Sequence, residues 1–288
     1  SENASPTHSE LCQSWLNRMR MKPQTSEALG GTMTRCTHAK PLTSIMAFLC
    51  AIAIASAISI AAVPAPAYAA SFDGYPTYTI AWGLGVNSNH TTPDGPVSSS
   101  LLAKYDAYYV GNTDRQNKRI YLSFDCGYEN GNVEKTLDIL KKHDAKGAFF
   151  VLGNLIKRNT ELVKRMIDDG HLVCNHTSTH KNMTKAASKE EFKAELDSLN
   201  ALMMEYCGCE AAHFYRPPEG CFNENNLKWA SELGYSTIFW SCAYDDWDNS
   251  RQMSAESAME KLRKSRVAVF GVGGVGGYTV EALARSGV

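Results

Sequence analysis

An α/β fold built on a parallel sheet is what this sequence predicts, and three observations predict it. From Arg119 onward, short β-rich runs alternate with longer amphipathic stretches, the pattern of successive βα units. Several amphipathic stretches stop at a glycine, Gly170, Gly208 or Gly234, where left-handed C-terminal caps belong. Polar and charged groups then follow the apolar runs directly, which is where a parallel sheet gathers its functional side chains.

Taken in order, the strands are expected over 120–124, 148–152, 172–175, 214–216 and 237–241, with helices over 133–143, 161–169, 189–207 and 225–233. Ser188 with Glu191 reads as a capping box opening the third helix. The segment 70–118 carries Gly, Pro, Asn and Ser clusters around a helix-like stretch at 101–109, and reads as an irregular lead-in that wraps the domain over 119–257.

Upstream, 1–32 is polar and without periodicity. Met33 is followed by Arg35, His38 and Lys40, an apolar run from Ile45 to Val63, two prolines and Ala67-Tyr68-Ala69. That order predicts a signal sequence over 33–69 and export, with a retained membrane anchor as the alternative. Removal of the signal would leave no stable membrane span. The 288 residues are 44% hydrophobic with a formal net charge of -1. This balance offers no basic footprint for nucleic acid and is compatible with a neutral glycan. The nine cysteines show no zinc-ribbon spacing, and Cys207 and Cys209 are too close for an easy mutual disulfide.

Four groups fall just after strands: Asp125-Cys126-Gly127, Asn175 through His180, Arg216-Pro-Pro-Glu-Gly220, and Asp245-Asp246-Trp247. The spacing of His176 and His180 sets two imidazoles on one side of a helical turn, able to reach a common divalent cation. Asp125 at a strand end needs a cation, a hydrogen-bonding network or a proton-transfer task. Arg216, fixed by the prolines after it, calls for a carboxylate partner, either Asp246 or Asp125.

In this order the groups resemble the polysaccharide deacetylase family, also called the NodB-homology family or carbohydrate esterase family four, over about 82–248. Ser123 to Gly127, His176 to His180, Arg216 to Gly220 and the Asp246-Trp247 pair carry the likeness. The resemblance implies a distorted (β/α) barrel, truncated at its C-terminal end, and a secreted monomer that hydrolyses acetamides with a divalent metal, Zn2+ by preference. It implies Asp125 as general base with His176 and His180 on the metal; Arg216 would orient and neutralise Asp246, or equally orient Asp125, the alternative being a structural ion pair beside a core Trp247. Cys126 stands where the family has a second Asp, so either its thiolate is a third ligand or the two histidines bind with waters, the latter being favoured. Tyr128, Pro218, Gly220 and Trp247 would contact the glycan. Lys104 to Thr113, Asp125 to Gly131 and Phe239-Trp-Ser241 resemble the subgroup acting on muramic acid toward the δ-lactam of spore cortex. Peptidoglycan strands would then be the partner, and the cell wall or spore envelope the location. A non-catalytic glycan-binding module is the alternative.

The segment 258–288 differs in character. Arg266 to Phe270 reads as a strand, and Gly271, Gly273 and Gly276 form a GxGxxG turn. This stretch resembles the start of the ThiF/MoeB-like adenylating fold, particularly the tRNA threonylcarbamoyladenosine dehydratase group. A nucleotide-dependent activity would rest on that turn alone. No histidine follows His213, although the family places a late Leu-x-His general acid there. The expectation is that Arg266 to Phe270 takes the place of the missing barrel strand without its chemistry.

Overall fold

The computed structural model describes residues 76–85, 92–111, 119–243 and 267–273, with isolated positions at 254, 256, 257 and 260. The expected upstream segment and signal sequence lie outside the described residues, as do Asp245, Asp246, Trp247 and Gly276. Among the described residues no helix is long and apolar enough to cross a membrane.

The strands are β1 (Ile80–Ala81), β2 (Ala107–Tyr108), β3 (Arg119–Cys126), β4 (Gly147–Val151), β5 (Leu172–Asn175), β6 (Ala212–Tyr215), β7 (Cys221–Phe222), β8 (Ser236–Ile238) and β9 (Val267–Gly273). Seven of them form one sheet in the order β2-β8-β6-β5-β4-β3-β9, and every neighbouring pair is parallel. The sheet is therefore the expected α/β barrel type, distorted and left open between its edge strands β2 and β9.

The helices are α1 (Ser99–Ala103), α2 (Asn132–Lys142), α3 (Gly153–Arg158), α4 (Thr160–Asp168), α5 (Lys189–Cys207) and α6 (Glu224–Glu232). Gly170, Gly208 and Gly234 adopt φ of 78°, 76° and 81°, the left-handed conformation expected of caps. At the start of α5, Ser188 Oγ accepts from Glu191 N–H at 3.3 Å. Glu191 reaches back one residue further than a capping box requires, accepting from Ala187 N–H at 2.8 Å.

Strand alternation divides the core. Phe124, Phe149, Val151 and Val173 face one side and pack with Leu137, Leu155, Met166 and Leu199 from α2 to α5. Tyr121, Ala148, Phe150, Cys174, Phe214 and Ile238 face the other, concave side. The lead-in is more than a wrapping: β2 extends the sheet beside β8, and β1 pairs antiparallel with β7. The helix-like stretch at 101–109 is helical only to Ala103, because Asp106 turns left-handed at φ 53° and sends the chain into β2.

The end of the sheet opposite the site holds a titratable group of structural consequence. His171 Nδ1 accepts from Gly147 N–H at 3.3 Å, and its Nε2 is buried without a partner. Burial, aided by the nearby Lys146 ammonium, lowers its pKa to about 4. The unfolded chain takes up this proton near pH 6.5 and the folded chain only near 4, so stability declines as pH falls through that window, by about 3 kcal/mol. Urea denaturation from pH 7 to 4 is expected to show the decline. His171→Gln keeps an acceptor for Gly147, does not titrate, and should lack this part of it.

Candidate active site

The site is organised around Arg216, the first residue after β6. Its side chain is wholly buried, a placement tolerated only when its charge and its nitrogens are met by partners, and each nitrogen finds one. Nε donates to Ile238 C=O at 3.0 Å, Nη1 to Asp125 Oδ1 at 2.7 Å and Nη2 to Ser123 Oγ at 2.8 Å. The guanidinium carbon stands 4.0 Å above the Phe150 ring centroid and 5.8 Å from that of Trp240. The carboxylate that the sequence left open between Asp246 and Asp125 is thus Asp125.

The main chain of Arg216 sets the next residue. Its N–H donates to Asn175 C=O at 3.1 Å, and its C=O lies 2.8 Å from His176 Nδ1. A carbonyl can only accept, so Nδ1 carries the proton and Nε2 presents its lone pair. Nε2 is 4.0 Å from Asp125 Oδ2, the carboxylate oxygen Arg216 leaves uncommitted. His180 lies edge-on to His176 with ring centroids 5.1 Å apart. The two imidazoles are brought together as expected, but by a tight loop rather than a helical turn. Thr177 and His180 both have positive φ, 71° and 62°, and Thr177 Oγ1 accepts from His180 N–H at 3.0 Å.

Electrostatics follow from this geometry. Burial alone would raise the Asp125 carboxyl, but Arg216 and the two histidines outweigh it and hold the carboxyl below its usual range. Asp125 remains 34% exposed, so it is ionised and open to the cleft. Burial, the largest influence on His176, lowers its pKa and keeps the imidazole neutral.

Among the described residues no three His, Cys, Asp or Glu side chains are arranged to hold a metal ion. The donors present nonetheless fit a divalent cation held in part by protein: two imidazoles approach each other, and the main-chain carbonyl that fixes the His176 tautomer leaves Nε2 to coordinate. Cys126 does not join them. It alternates to the opposite face of β3 from Asp125 and packs in the helix-covered core with Phe124 and Val151. Tyr128 stands at the rim, 59% exposed.

Pro218 and Gly220, expected to touch glycan, are both buried, and the exposed residue of their loop is Glu219. A Cβ on Gly220 would lie 2.8 Å from Trp240 Cη2 and 3.0 Å from Trp82 Cβ, so this glycine serves close packing at φ 66°. Gly271 and Gly273 sit on the β9 ladder beside Ser123 and Asp125 rather than in a nucleotide-binding turn. That pairing runs from Arg119–Val267 to Asp125–Gly273, so the segment is paired in the sheet, as its expected role as a replacement strand requires.

Sequence reasoning missed Ser123 and Trp82. Ser123 was legible, since it shares the Asp125 face of β3 at the next alternate position. Trp82 carries no such signal: its N–H donates to Gly220 C=O and its Nε1–H to Trp240 C=O, each at 2.9 Å, bracing the loops that flank Arg216.

Comparison with known proteins places these features in context. Residues 112–238 match the family described as polysaccharide deacetylase. The peptidoglycan-N-acetylmuramic acid deacetylase PdaA of Bacillus subtilis is 42% identical over 208 residues, covering 72% of this chain and 78% of that protein. The solved structure of Bacillus subtilis PdaA, a family 4 carbohydrate esterase, superposes with a TM-score of 0.66 at 39% identity, covering 73% of this chain and 90% of that one. A CE4 family pseudoenzyme from Bacillus anthracis is also similar, with a TM-score of 0.54 at 28% identity over 62% of each chain.

Removing the guanidinium should leave the Asp125 carboxylate without its cation. Arg216→Met is expected to destabilise the protein by about 3 kcal/mol in urea unfolding. Adding Asp125→Asn should recover part of that loss, because the charge left unpaired is then gone.

Proposed function

The chain belongs to the polysaccharide deacetylase family, and we propose that it removes N-acetyl groups from peptidoglycan by metal-assisted hydrolysis, with N-acetylmuramic acid as the sugar. The family is one of hydrolases of C–N amide bonds other than peptide bonds. The observation that carries the reading is an ionised Asp125, clamped by Arg216 through one oxygen, with the other 4.0 Å from the lone-pair nitrogen of His176. Similarity to a muramic acid deacetylase supports the choice of sugar. Formation of the δ-lactam of spore cortex is the process that such a product would serve, and export by the 33–69 segment would bring the enzyme to its polymer.

In this mechanism His176 and His180 would hold a divalent cation, Zn2+ by the nature of its donors, which when bound would supply Lewis-acid polarisation of the acetamide carbonyl and of water. Asp125 Oδ2 accepts the proton of the attacking water as it adds to the carbonyl carbon. Arg216 keeps that carboxylate ionised and aimed, and Tyr128 lines the rim where the neighbouring sugar lies. Trp247 would contact the glycan, and Arg216 would also orient Asp246. The proton must then reach the leaving amine, and this polypeptide has no histidine after His213 to deliver it.

The lack of a histidine among residues 214–288 favours a second reading, a glycan-binding module with turnover lost, for which the similar pseudoenzyme is a precedent. Acetate release from peptidoglycan stripped of peptide decides between them. Chelator-sensitive release that drops at least about 10²-fold in Asp125→Asn supports the hydrolase, whereas binding without release supports the module. The chain as it stands should run about 10²- to 10⁴-fold slower than a version given a Leu-x-His segment, and equal rates would remove the need for a late acid.

A further inference from the structure

We propose that Glu195, on the outer turn of α5, is a positioning residue for the two-imidazole loop. Its carboxylate holds that loop from outside: Oε2 accepts from Thr179 N–H at 3.2 Å and Oε1 from the Thr179 hydroxyl at 2.9 Å. Thr179 directly precedes His180, so the grip acts on the main chain one peptide away from the second imidazole. Nothing in the reaction itself calls for Glu195, and it lies outside every motif read from the sequence.

The loop needs such a hold because its backbone is strained. Thr177 is β-branched and adopts φ 71°, a conformation costly for that residue type, and His180 follows at 62°. Such conformations persist only where the surroundings over-determine them. Asn175 Oδ1 accepts from Thr177 N–H at 2.9 Å, while Asn175 Nδ2 donates to Leu196 C=O at 3.1 Å. Ser178 C=O accepts from Gly153 N–H at 3.1 Å, and a Cβ on Gly153 would meet that same oxygen at 2.9 Å. These contacts secure the loop as far as Ser178. Glu195 alone among the described contacts reaches Thr179 from another element, while Lys181, just after His180, bonds Glu191 of the same helix, so Glu195 supplies the α5 hold on the near side of the second imidazole. His176, fixed separately by Arg216 C=O, does not depend on it.

This inference rests on the reading of His176 and His180 as metal ligands, and binding of Zn2+ alone tests both without reference to turnover. The full chain, stripped with chelator, is titrated against a chromophoric competitor. Loss of an outer hydrogen bond to a metal-binding element costs about 10- to 100-fold in affinity, and Glu195→Ala should weaken Zn2+ by about that much. Glu195→Gln keeps an acceptor for the amide and a donor for the hydroxyl, and should bind within about threefold of the parent. Thr179→Val, which keeps the amide and loses the hydroxyl, should fall between. The thermal midpoints of the metal-free proteins, compared alongside, separate positioning from general damage: a fall in affinity that tracks the midpoint across all three variants overturns the proposal. Parent-like affinity in Glu195→Ala, with His180→Ala impaired, overturns it too. Equal Zn2+ binding by the parent and by His176→Ala would instead remove the metal reading on which it stands.

Discussion

A buried guanidinium is the constraint on which the rest of this site depends. Arg216 gives donors to β3 through Asp125 and Ser123 and to β8 through Ile238, and its peptide groups engage Asn175 and His176 at the end of β5. One residue of the β6 end therefore ties together the C-terminal ends of three other strands. A charge removed from water costs several kcal/mol unless it is fully met, so the arrangement has little freedom to drift. The carboxylate, the imidazole tautomer and the spacing between them are consequences of meeting that cost.

The left-handed residues show how this precision is held. Thr177, His180 and Glu219 all adopt positive φ, and all lie in the loops that follow β5 and β6. Asn182 Nδ2 donates to Glu219 Oε2 at 3.2 Å, which links the two strained loops to one another. Each such residue costs on the order of 1–3 kcal/mol, and the site keeps them because hydrogen bonds from α5, α3 and the lead-in converge on the same few peptides. Trp82 belongs to this group of restraints: it bonds the Gly220 and Trp240 carbonyls while stacking on Phe239 at 4.2 Å.

What the sequence disclosed and what it hid divide along physical lines. Strands β4 and β5 and helix α5 were legible because their periodicity and capping signals are local, and α5 was read at its observed ends, Lys189 and Cys207. The grouping of Asp125, His176 and His180 was legible because parallel strands deliver their ends to one rim. Helix α3 was missed, being short and continuous in sequence with β4. Strand β2 was missed because its partner β8 is about 130 residues distant, and two residues carry no period of their own. The choice between Cys126 as a third ligand and two histidines with waters stayed open in the sequence, although strand alternation favours the latter: the neighbour of Asp125 faces the core, where Cys126 lies. Gly220 was misread because close packing against two tryptophans leaves no trace in spacing.

The same alternation separates the fold from the chemistry at the far edge of the sheet. β9 pairs with β3 through backbone groups along its whole length, and a ladder of that kind asks only for extended conformation, not for particular side chains. Any extended segment can satisfy β3 there, so Asp125 keeps a strand on either side and is held at a fixed height. The residue that the register sets opposite Asp125 is Gly273, which offers no group to give or take a proton. Completeness of the sheet therefore says nothing about completeness of the proton path. The carboxylate and the His176 imidazole are secured by Arg216 from within the sheet, and a donor for the leaving amine would have to come from elsewhere on the rim.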